Sequence, residues 1–133
     1  MITDRVGDFI IRLQNAARIG KREVAVPYSA HLLAIAKKLK ELGFLSAVSA
    51  KEREGSVKKD ISVALVCDLR GLPVLRGVKR VSKPGRRLYA PHTAAHKVKG
   101  GTGALILSSP SGIISDAEAR KSRSGGEELF EIW

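Results

Sequence analysis

Apolar residues recur every three or four positions in two N-terminal segments, and this spacing predicts two amphipathic helices. The first is predicted to begin at a capping Thr3 or Asp4 and to end at Gly20. The second is predicted to begin at the cap Ser29 and to end at Gly43. The inner faces are predicted to carry Val6, Phe9, Ile10, Leu13 and Ala17, then Leu32, Ile35, Ala36, Leu39 and Leu42, with Lys37, Lys38 and Glu41 facing outward.

Alternation of apolar and polar residues predicts short strands in the rest of the chain. Segment 67–73 contains the breakers Gly71 and Pro73 and is predicted to connect two parts of the chain. Ser115 and Glu118 form a capping box, which predicts a third, short helix to about Arg123. The predicted strands are residues 23–27, 44–51 and 57–66, the last two around a turn at 53–56, and then residues 74–81, 87–90, 104–108, 112–114 and 127–133.

Composition and charge narrow the class of protein. The chain has 133 residues, 44% of them hydrophobic, which is enough for a packed core in one domain or two very small ones. The single cysteine, Cys67, excludes an internal disulfide and favours a reducing compartment. The N-terminus lacks the pattern of a signal peptide, and no apolar run approaches the ~20 residues that span a bilayer. We therefore expect a cytoplasmic protein without a membrane partner.

The strongest signal is positive charge, with a formal net charge of +11. Residues 70–99 contain nine Lys or Arg residues and no Asp or Glu. Such a run repels itself unless a polyanion neutralises it, so a nucleic-acid surface is favoured over a merely solvated basic face. Tyr89 follows this run, and its ring is predicted either to stack on a base or to fill the core. The candidate phosphate contacts in this window are Arg76, Lys79, Arg80, Lys83, Arg86 and Arg87.

A small-residue segment, residues 108–112, lies between two predicted strands. Its hydroxyl and backbone N–H groups could read base edges and ribose hydroxyls, although the composition by itself favours a plain hairpin turn. The glycine-rich residues 99–103 lack the spacing and the Lys-Ser/Thr ending of a phosphate-binding loop.

Catalysis and metal binding are not indicated by the pattern of residues. The acidic residues are scattered, and the serines of residues 108–112 have no positioned base. Cys67 and the three histidines, His31, His92 and His96, do not form the paired clusters of a zinc site. We expect no enzyme, metal or cofactor. A DNA-binding protein and a small nuclease stay as alternatives, although outward base-reading residues and clustered carboxylates are missing.

Several spaced motifs together resemble the bacterial small-subunit ribosomal protein S8 family. They are Arg80-Val81-Ser82-Lys83-Pro84-Gly85 with Arg87 and Tyr89, then Ile106 to Ile113, Ser115-Asp116 with Ala119-Arg120, and Gly125-Gly126-Glu127. In agreement with the predicted elements, the resemblance implies an α+β fold of two small α/β subdomains. Residues 1–70 would form an α-β-α-β-β domain. Residues 71–133 would form a mainly antiparallel β domain with one short helix, which binds RNA.

The resemblance also implies a function: a structural constituent of the 30S subunit that is a primary binder of ribosomal RNA. The implied target is an irregular helix of the central domain, where binding helps platform assembly. Neighbouring small-subunit proteins would be partners, and some members repress their own operon messenger RNA. The basic residues already predicted to contact RNA are Lys79, Arg80, Lys83, Arg86 and Arg87. The resemblance adds RNA contacts at Thr3, Asp4, Arg12, Asn15, Arg18, Tyr89, Ser108, Ser109, Ser111, Gly112 and Glu127.

Two departures from the family pattern remove an expected RNA contact. Pro110 occupies a loop position where the family has a serine, which removes one hydroxyl and one N–H donor. Gln14 stands where an arginine is common before the Asn15-Ala16 pair.

Overall fold

The described part of the chain contains three helices and two antiparallel sheets, and the predicted α+β class is confirmed. The structure is a computed structural model and describes residues 4–52, 55, 58–82, 87–90 and 103–133. The helices are α1 (Arg5–Ile19), α2 (Ala30–Glu41) and α3 (Asp116–Ser122). The strands are β1 (Glu23–Pro27), β2 (Leu45–Glu52), β3 (Lys59–Leu65), β4 (Val78–Arg80), β5 (Tyr89–Ala90), β6 (Ala104–Ser109), β7 (Gly112–Ser115) and β8 (Gly126–Ile132).

The chain divides into two compact units. The N-terminal unit is Phe9–Arg76, and the C-terminal unit combines Met1–Asp8 with Gly77–Trp133. The division falls inside α1 and directly before β4, whereas the sequence places a single boundary after residue 70. Among the described residues, no helix is both long and apolar enough to cross a membrane.

The N-terminal unit contains a three-stranded sheet in the order β1-β3-β2. In the central strand, Ile61, Val63 and Leu65 are buried while the residues between them are partly exposed, which is the period-two pattern of a sheet covered on one face. Helix α2 lies against β2. The buried helical residues are Phe9, Ile10, Leu13 and Ala16 in α1, and Leu32, Ile35, Ala36, Lys38 and Leu39 in α2.

Two residues of α2 do not face as predicted. Lys38 was expected to face outward but is buried, because its stem packs inward and its ammonium Nζ lies 2.7 Å from Glu41 Oε2. Leu42 was expected inside but is exposed, since it is the C-cap residue and the chain turns away at Gly43, where φ is +90°. In α1 the buried alanine is Ala16, whereas Ala17 is only partly buried.

The C-terminal unit contains a five-stranded sheet in the order β4-β8-β6-β7, with β5 also paired to β8. Helix α3 lies against β6 and β7. Its N-cap Ser115 accepts a hydrogen bond from the Glu118 N–H and donates one to Glu118 Oε1, so the predicted cap is confirmed. The core cluster is Leu105, Leu107, Ile114 and Ala119, with Val81 and Trp133 packed against it.

The strand predicted over residues 74–81 is shorter in the structure. Val74 donates its N–H to the Val66 carbonyl at 2.9 Å, and Pro73 bridges to Cys67, so this segment closes a loop first. Pairing to the end of β8 starts at Gly77, which exchanges two 3.0 Å hydrogen bonds with Trp133. The other predicted elements match the structure to within two residues at each end, and of the predicted turn 53–56 only Gly55 lies among the described residues.

Candidate nucleic-acid interface

Three predicted contact residues lie side by side across the C-terminal sheet. In the ladder register, Tyr89 lies opposite Glu127, and Glu127 lies opposite Ser108 on its other side. Directly opposed residues project from the same face of a sheet, so these side chains form one line. The Tyr89 ring is 72% exposed and does not fill the core. We call Tyr89, Glu127 and Ser108 the cross-strand row.

The cross-strand row carries a flanking cation. Arg87 Nη1 lies 3.2 Å from Glu127 Oε2, and the Arg87 side chain is 49% exposed while that of Glu127 is 16% exposed. Because the Arg87 end of the pair is half exposed, solvent screens the interaction and it contributes little stability, about 0–1 kcal/mol. Arg87 is therefore held beside the row at small cost and can still bind an incoming phosphate.

A tight hairpin turn, residues 109–112, extends from the row. Ser109 Oγ donates to the Gly112 carbonyl at 2.8 Å and lies 2.9 Å from Ser111 Oγ. A hydroxyl has one proton, so with Ser109 donating to Gly112, the Ser111 hydroxyl is the donor between the two serines. Gly112 has φ +125°, which other residues rarely adopt. We call residues 109–112 the serine turn. Its shape depends on these two hydroxyls and this glycine.

Gly126 allows β8 to approach the serine turn closely. A Cβ at Gly126 would lie 2.2 Å from the Ser108 carbonyl oxygen and 3.1 Å from Ser109 Cα. Both are backbone atoms that cannot rotate away. Gly126 was not among the predicted site residues, so its role at the site was missed, although the motif Gly125-Gly126-Glu127 places it directly before a predicted contact.

Ser82 forms hydrogen bonds to Leu88, and the residues between them in sequence, 83–87, include Lys83, Arg86 and Arg87. We call residues 83–87 the basic segment. The Ser82 side chain is buried, and its Oγ accepts from the Leu88 N–H at 2.9 Å and donates to the Leu88 carbonyl at 3.1 Å. The predicted contacts Lys83 and Arg86 fall between these two residues, outside the described part of the chain. Ser82 was not among the predicted site residues, although it stands inside the basic motif.

Two further candidates lie on β4 with different surroundings. Lys79 is exposed and lies opposite Glu131 in the ladder. The Arg80 guanidinium is instead engaged within the protein, by the Asp4 carboxylate and the Ser82 carbonyl. Arg80 therefore organises this edge, and Lys79 is the more accessible cation.

Asp4 is both the partner of Arg80 and the cap of α1. Its Oδ1 accepts from the Gly7 N–H at 3.0 Å. Burial raises the pKa of Asp4, but hydrogen bonds from Arg80 and Gly7 and the nearby charges of Arg80 and Arg87 outweigh it, so the net pKa lies below its ordinary value. Asp4 is consequently ionised at neutral pH, and Thr3 lies outside the described residues.

The remaining candidates lie on the exposed face of α1, in the N-terminal unit. Arg12, Asn15 and Arg18 are all exposed, as the helical spacing predicts. Arg12 Nη1 donates to the Ala25 carbonyl at 2.9 Å. A cleft of about 300 Å³ lies beside this bond, lined by Arg12, Asn15, Ala16, Ile19, Lys21, Glu23, Val24 and Ala25. Arg12, Asn15 and Arg18 therefore form a second group of candidate RNA contacts, in a different unit from the cross-strand row.

Within the described ranges, no group of three or more His, Cys, Asp or Glu residues is arranged to hold a metal ion. His31 is exposed on α2 and Cys67 is partly buried in the bridge to Pro73. His92 and His96 lie outside the described residues, as do residues 99–102 of the glycine-rich segment.

Comparison with known proteins gives a match over nearly the whole chain. Residues 4–133 match the model of the family described as Ribosomal protein S8. Three relatives are named "Small ribosomal subunit protein uS8". The one from Nitratidesulfovibrio vulgaris strain Miyazaki F is 41% identical over all of both chains. The one from Sorangium cellulosum is 38% identical over all of both chains, and the one from Chloroflexus aurantiacus is 37% identical over 99% of this chain and 98% of that protein.

Proposed function

The chain belongs to the ribosomal protein S8 family, and from this premise we propose that it is a structural constituent of the small ribosomal subunit. It acts by binding ribosomal RNA without chemical turnover. The observation that carries this proposal is the cross-strand row, which places an exposed tyrosine, a carboxylate and a serine in line with the serine turn.

The two kinds of group at this surface have different tasks. Lys79 and Arg87 are exposed cations that attract any RNA backbone. This attraction weakens as the salt concentration rises, because counterions released from the RNA on binding then gain less free energy. Tyr89 can stack on an unpaired base, while the serine turn presents hydroxyls at close range. Because a regular A-form duplex hides its base edges in a deep groove, the readable target is an irregular helix.

The same premise supports a more detailed proposal. The RNA is an irregular helix of the central domain of small-subunit ribosomal RNA, and binding there helps the platform of the 30S subunit to assemble. Neighbouring small-subunit proteins complete the environment of the chain in the cytoplasmic ribosome. A similar fold in its own operon messenger RNA would allow the chain to repress its own translation.

Hydroxyl-radical footprinting of small-subunit ribosomal RNA tests this function. The purified chain is expected to protect one irregular helix of the central domain at moderate ionic strength. Duplex DNA added as a competitor should not remove the protection, and the RNA should stay uncleaved with magnesium present. An unprotected ribosomal RNA, or protection that DNA removes, would contradict the proposal.

Ser109→Ala tests whether the serine turn reads the target. The substitution removes the donor to the Gly112 carbonyl and a partner of Ser111, so affinity for the protected helix should fall by about 1–3 kcal/mol. Binding to random RNA should be unchanged, as measured by titration at constant salt. Ser122→Ala is the matched control, because that hydroxyl is also exposed and hydrogen-bonded within the protein, but on α3. Equal losses on both RNAs would show that the turn does not discriminate.

A further inference from the structure

The N-terminal unit carries a cluster of exposed apolar side chains on its connecting segment. Leu69 is fully exposed, Leu72 is 48% exposed and Val74 is 38% exposed. Single exposed apolar residues are ordinary, but three within six residues concentrate exposed apolar area on one short segment. We call residues 66–74 the Leu69 loop. Exposure of this kind requires an explanation other than the packing of the unit itself.

Hydrogen bonds hold the Leu69 loop in one conformation. Asp68 Oδ1 accepts from the Arg70 N–H at 2.8 Å and from the Leu72 N–H at 3.0 Å. The Asp68 N–H donates to the Leu72 carbonyl at 2.7 Å, and the Gly71 N–H donates to the Asp68 carbonyl at 2.9 Å. The loop therefore presents Leu69 from a fixed backbone, which lowers the entropy cost of binding a partner.

Positive charge flanks this apolar tip. Arg70 is exposed directly after Leu69, and Arg22 Nη2 lies 3.8 Å from the position of a Cβ on Gly71. The opposing carboxylate, Asp68, uses Oδ1 to accept two backbone N–H groups of the loop itself. The complementary surface is consequently an apolar socket with acidic groups at its rim.

The chemistry of the tip favours a protein over a nucleic acid. RNA offers apolar area on the flat faces of its bases, which aromatic rings and guanidinium planes cover best. The Leu69 loop offers branched aliphatic side chains, whose shape suits a concave pocket between protein side chains. An acidic rim on that pocket would match Arg70 and Arg22.

We propose that the Leu69 loop is a docking site for another protein of the small subunit, one that receives Leu69 in an apolar socket rimmed by carboxylates. This inference rests on the proposed place of the chain in the small subunit, but it concerns a surface other than the cross-strand row. It assigns the connecting segment a partner of its own.

Thiol labelling at position 69 tests the proposal. A chain with Cys67→Ser and Leu69→Cys is labelled with iodoacetamide free, bound to small-subunit ribosomal RNA alone, and within reconstituted small subunits. Labelling should slow by at least about tenfold in the subunits and should be unchanged in the RNA complex. The proposal would be overturned if RNA alone slowed the labelling, if position 69 were already unreactive in the free chain, or if labelling were equal in all three states. Failure of the unsubstituted chain to bind the RNA would contradict the proposed function, which is a separate result.

A competition experiment measures the contribution of Leu69 to assembly. Leu69→Asp and the unsubstituted chain are supplied in equal amounts during reconstitution. The variant should be incorporated about tenfold less, while its affinity for ribosomal RNA stays the same. Leu42→Asp is the matched control, because Leu42 is a lone leucine that is 37% exposed, and it should be incorporated normally. Equal incorporation of Leu69→Asp would also overturn the proposal.

Discussion

Small residues of the C-terminal unit set the shape of the candidate interface through contacts with backbone atoms. The Ser82 hydroxyl forms hydrogen bonds to both the N–H and the carbonyl of Leu88, and the Ser109 hydroxyl donates to the Gly112 carbonyl across the serine turn. Gly126 leaves room for the Ser108 carbonyl. None of these side chains needs to touch RNA to affect binding, since each fixes the backbone that presents Arg87, Tyr89 or the turn.

Gly126→Ala should destabilise the protein and weaken recognition together. The added Cβ would lie 2.2 Å from the Ser108 carbonyl oxygen, so the strand must shift, at a cost of about 1–3 kcal/mol. Urea unfolding measures the stability, and titration with the protected helix measures the affinity. Gly20→Ala is the control in the N-terminal unit: it adds strain at φ +76° without a clash and should leave the preference for that helix intact. An unchanged preference in Gly126→Ala would argue against this role.

Ser82→Ala should unfold more easily than its exposed counterpart Ser122→Ala. Removing the buried hydroxyl leaves the Leu88 N–H and carbonyl without that partner, which costs about 1–3 kcal/mol. The Ser122 hydroxyl is exposed, so its loss should change the free energy of unfolding by less than about 0.5 kcal/mol. Chemical denaturation of both variants gives the comparison. Equal stabilities would show that Ser82 is not needed to close the basic segment.

Residue spacing predicted which candidate side chains of α1 are exposed, but it did not predict how each side chain of the candidate interface is engaged. The exposed faces of α1 followed directly from helical spacing. Arg80 was indistinguishable from Lys79 in the sequence, and only the fold reveals that Asp4 engages it. Lys38 was misplaced for a similar reason, because only the fold reveals that it is buried, with its ammonium beside Glu41. Close approach at Gly126 needs the strand order, which no local pattern contains.

At the scale of elements, α1 is tied to β4 at its first turn. Asp4 caps the helix through Gly7 and pairs with Arg80 on the strand. One carboxylate therefore fixes the start of the helix and the edge of the sheet, and both contacts lie within the C-terminal unit. The charge of Asp4 stabilises this arrangement beyond its capping bond.

Asp4→Asn separates charge from capping, because asparagine caps helices as well as aspartate does. The pKa of Asp4 is lowered on folding, so its charge stabilises the protein above the ordinary pKa of 3.8. That contribution is lost as pH falls through the lowered folded value. The difference in unfolding free energy between the two proteins should be constant from pH 7 to about pH 5 and should shrink as pH falls below 3.8 towards the lowered folded pKa. Denaturation at each pH measures it, and a constant difference down to pH 3 would contradict the assignment.

Most element boundaries were predictable because their signals are local. Ser29 and Ser115 cap helices as expected, and alternation located β3. The strand over residues 74–81 was overextended, since Val74 has the composition of a strand but donates its hydrogen bond to Val66. Whether a β-prone residue joins a sheet depends on which partner is within reach, and that is a property of the tertiary fold.

At the scale of the whole molecule, positive charge is present in both units. The net charge of +11 is not confined to one arm, and exposed cations lie on α1 as well as on β4. A chain of this kind attracts any RNA at long range, and the attraction depends on salt. In the function proposed above, specific binding is therefore assigned to the cross-strand row and the serine turn.

Lys79→Gln tests this division between attraction and reading. If Lys79 neutralises one phosphate, the slope of log affinity against log salt should become shallower by about 1, on the protected helix and on random RNA alike. Lys37→Gln on α2 removes an equally exposed charge at a position not predicted to touch RNA, so its slope should not change. Titrations at several salt concentrations provide both slopes. If Lys79→Gln lost affinity for the protected helix only, Lys79 would be reading the target, and the separation of attraction by cations from selection by the row and turn would fail.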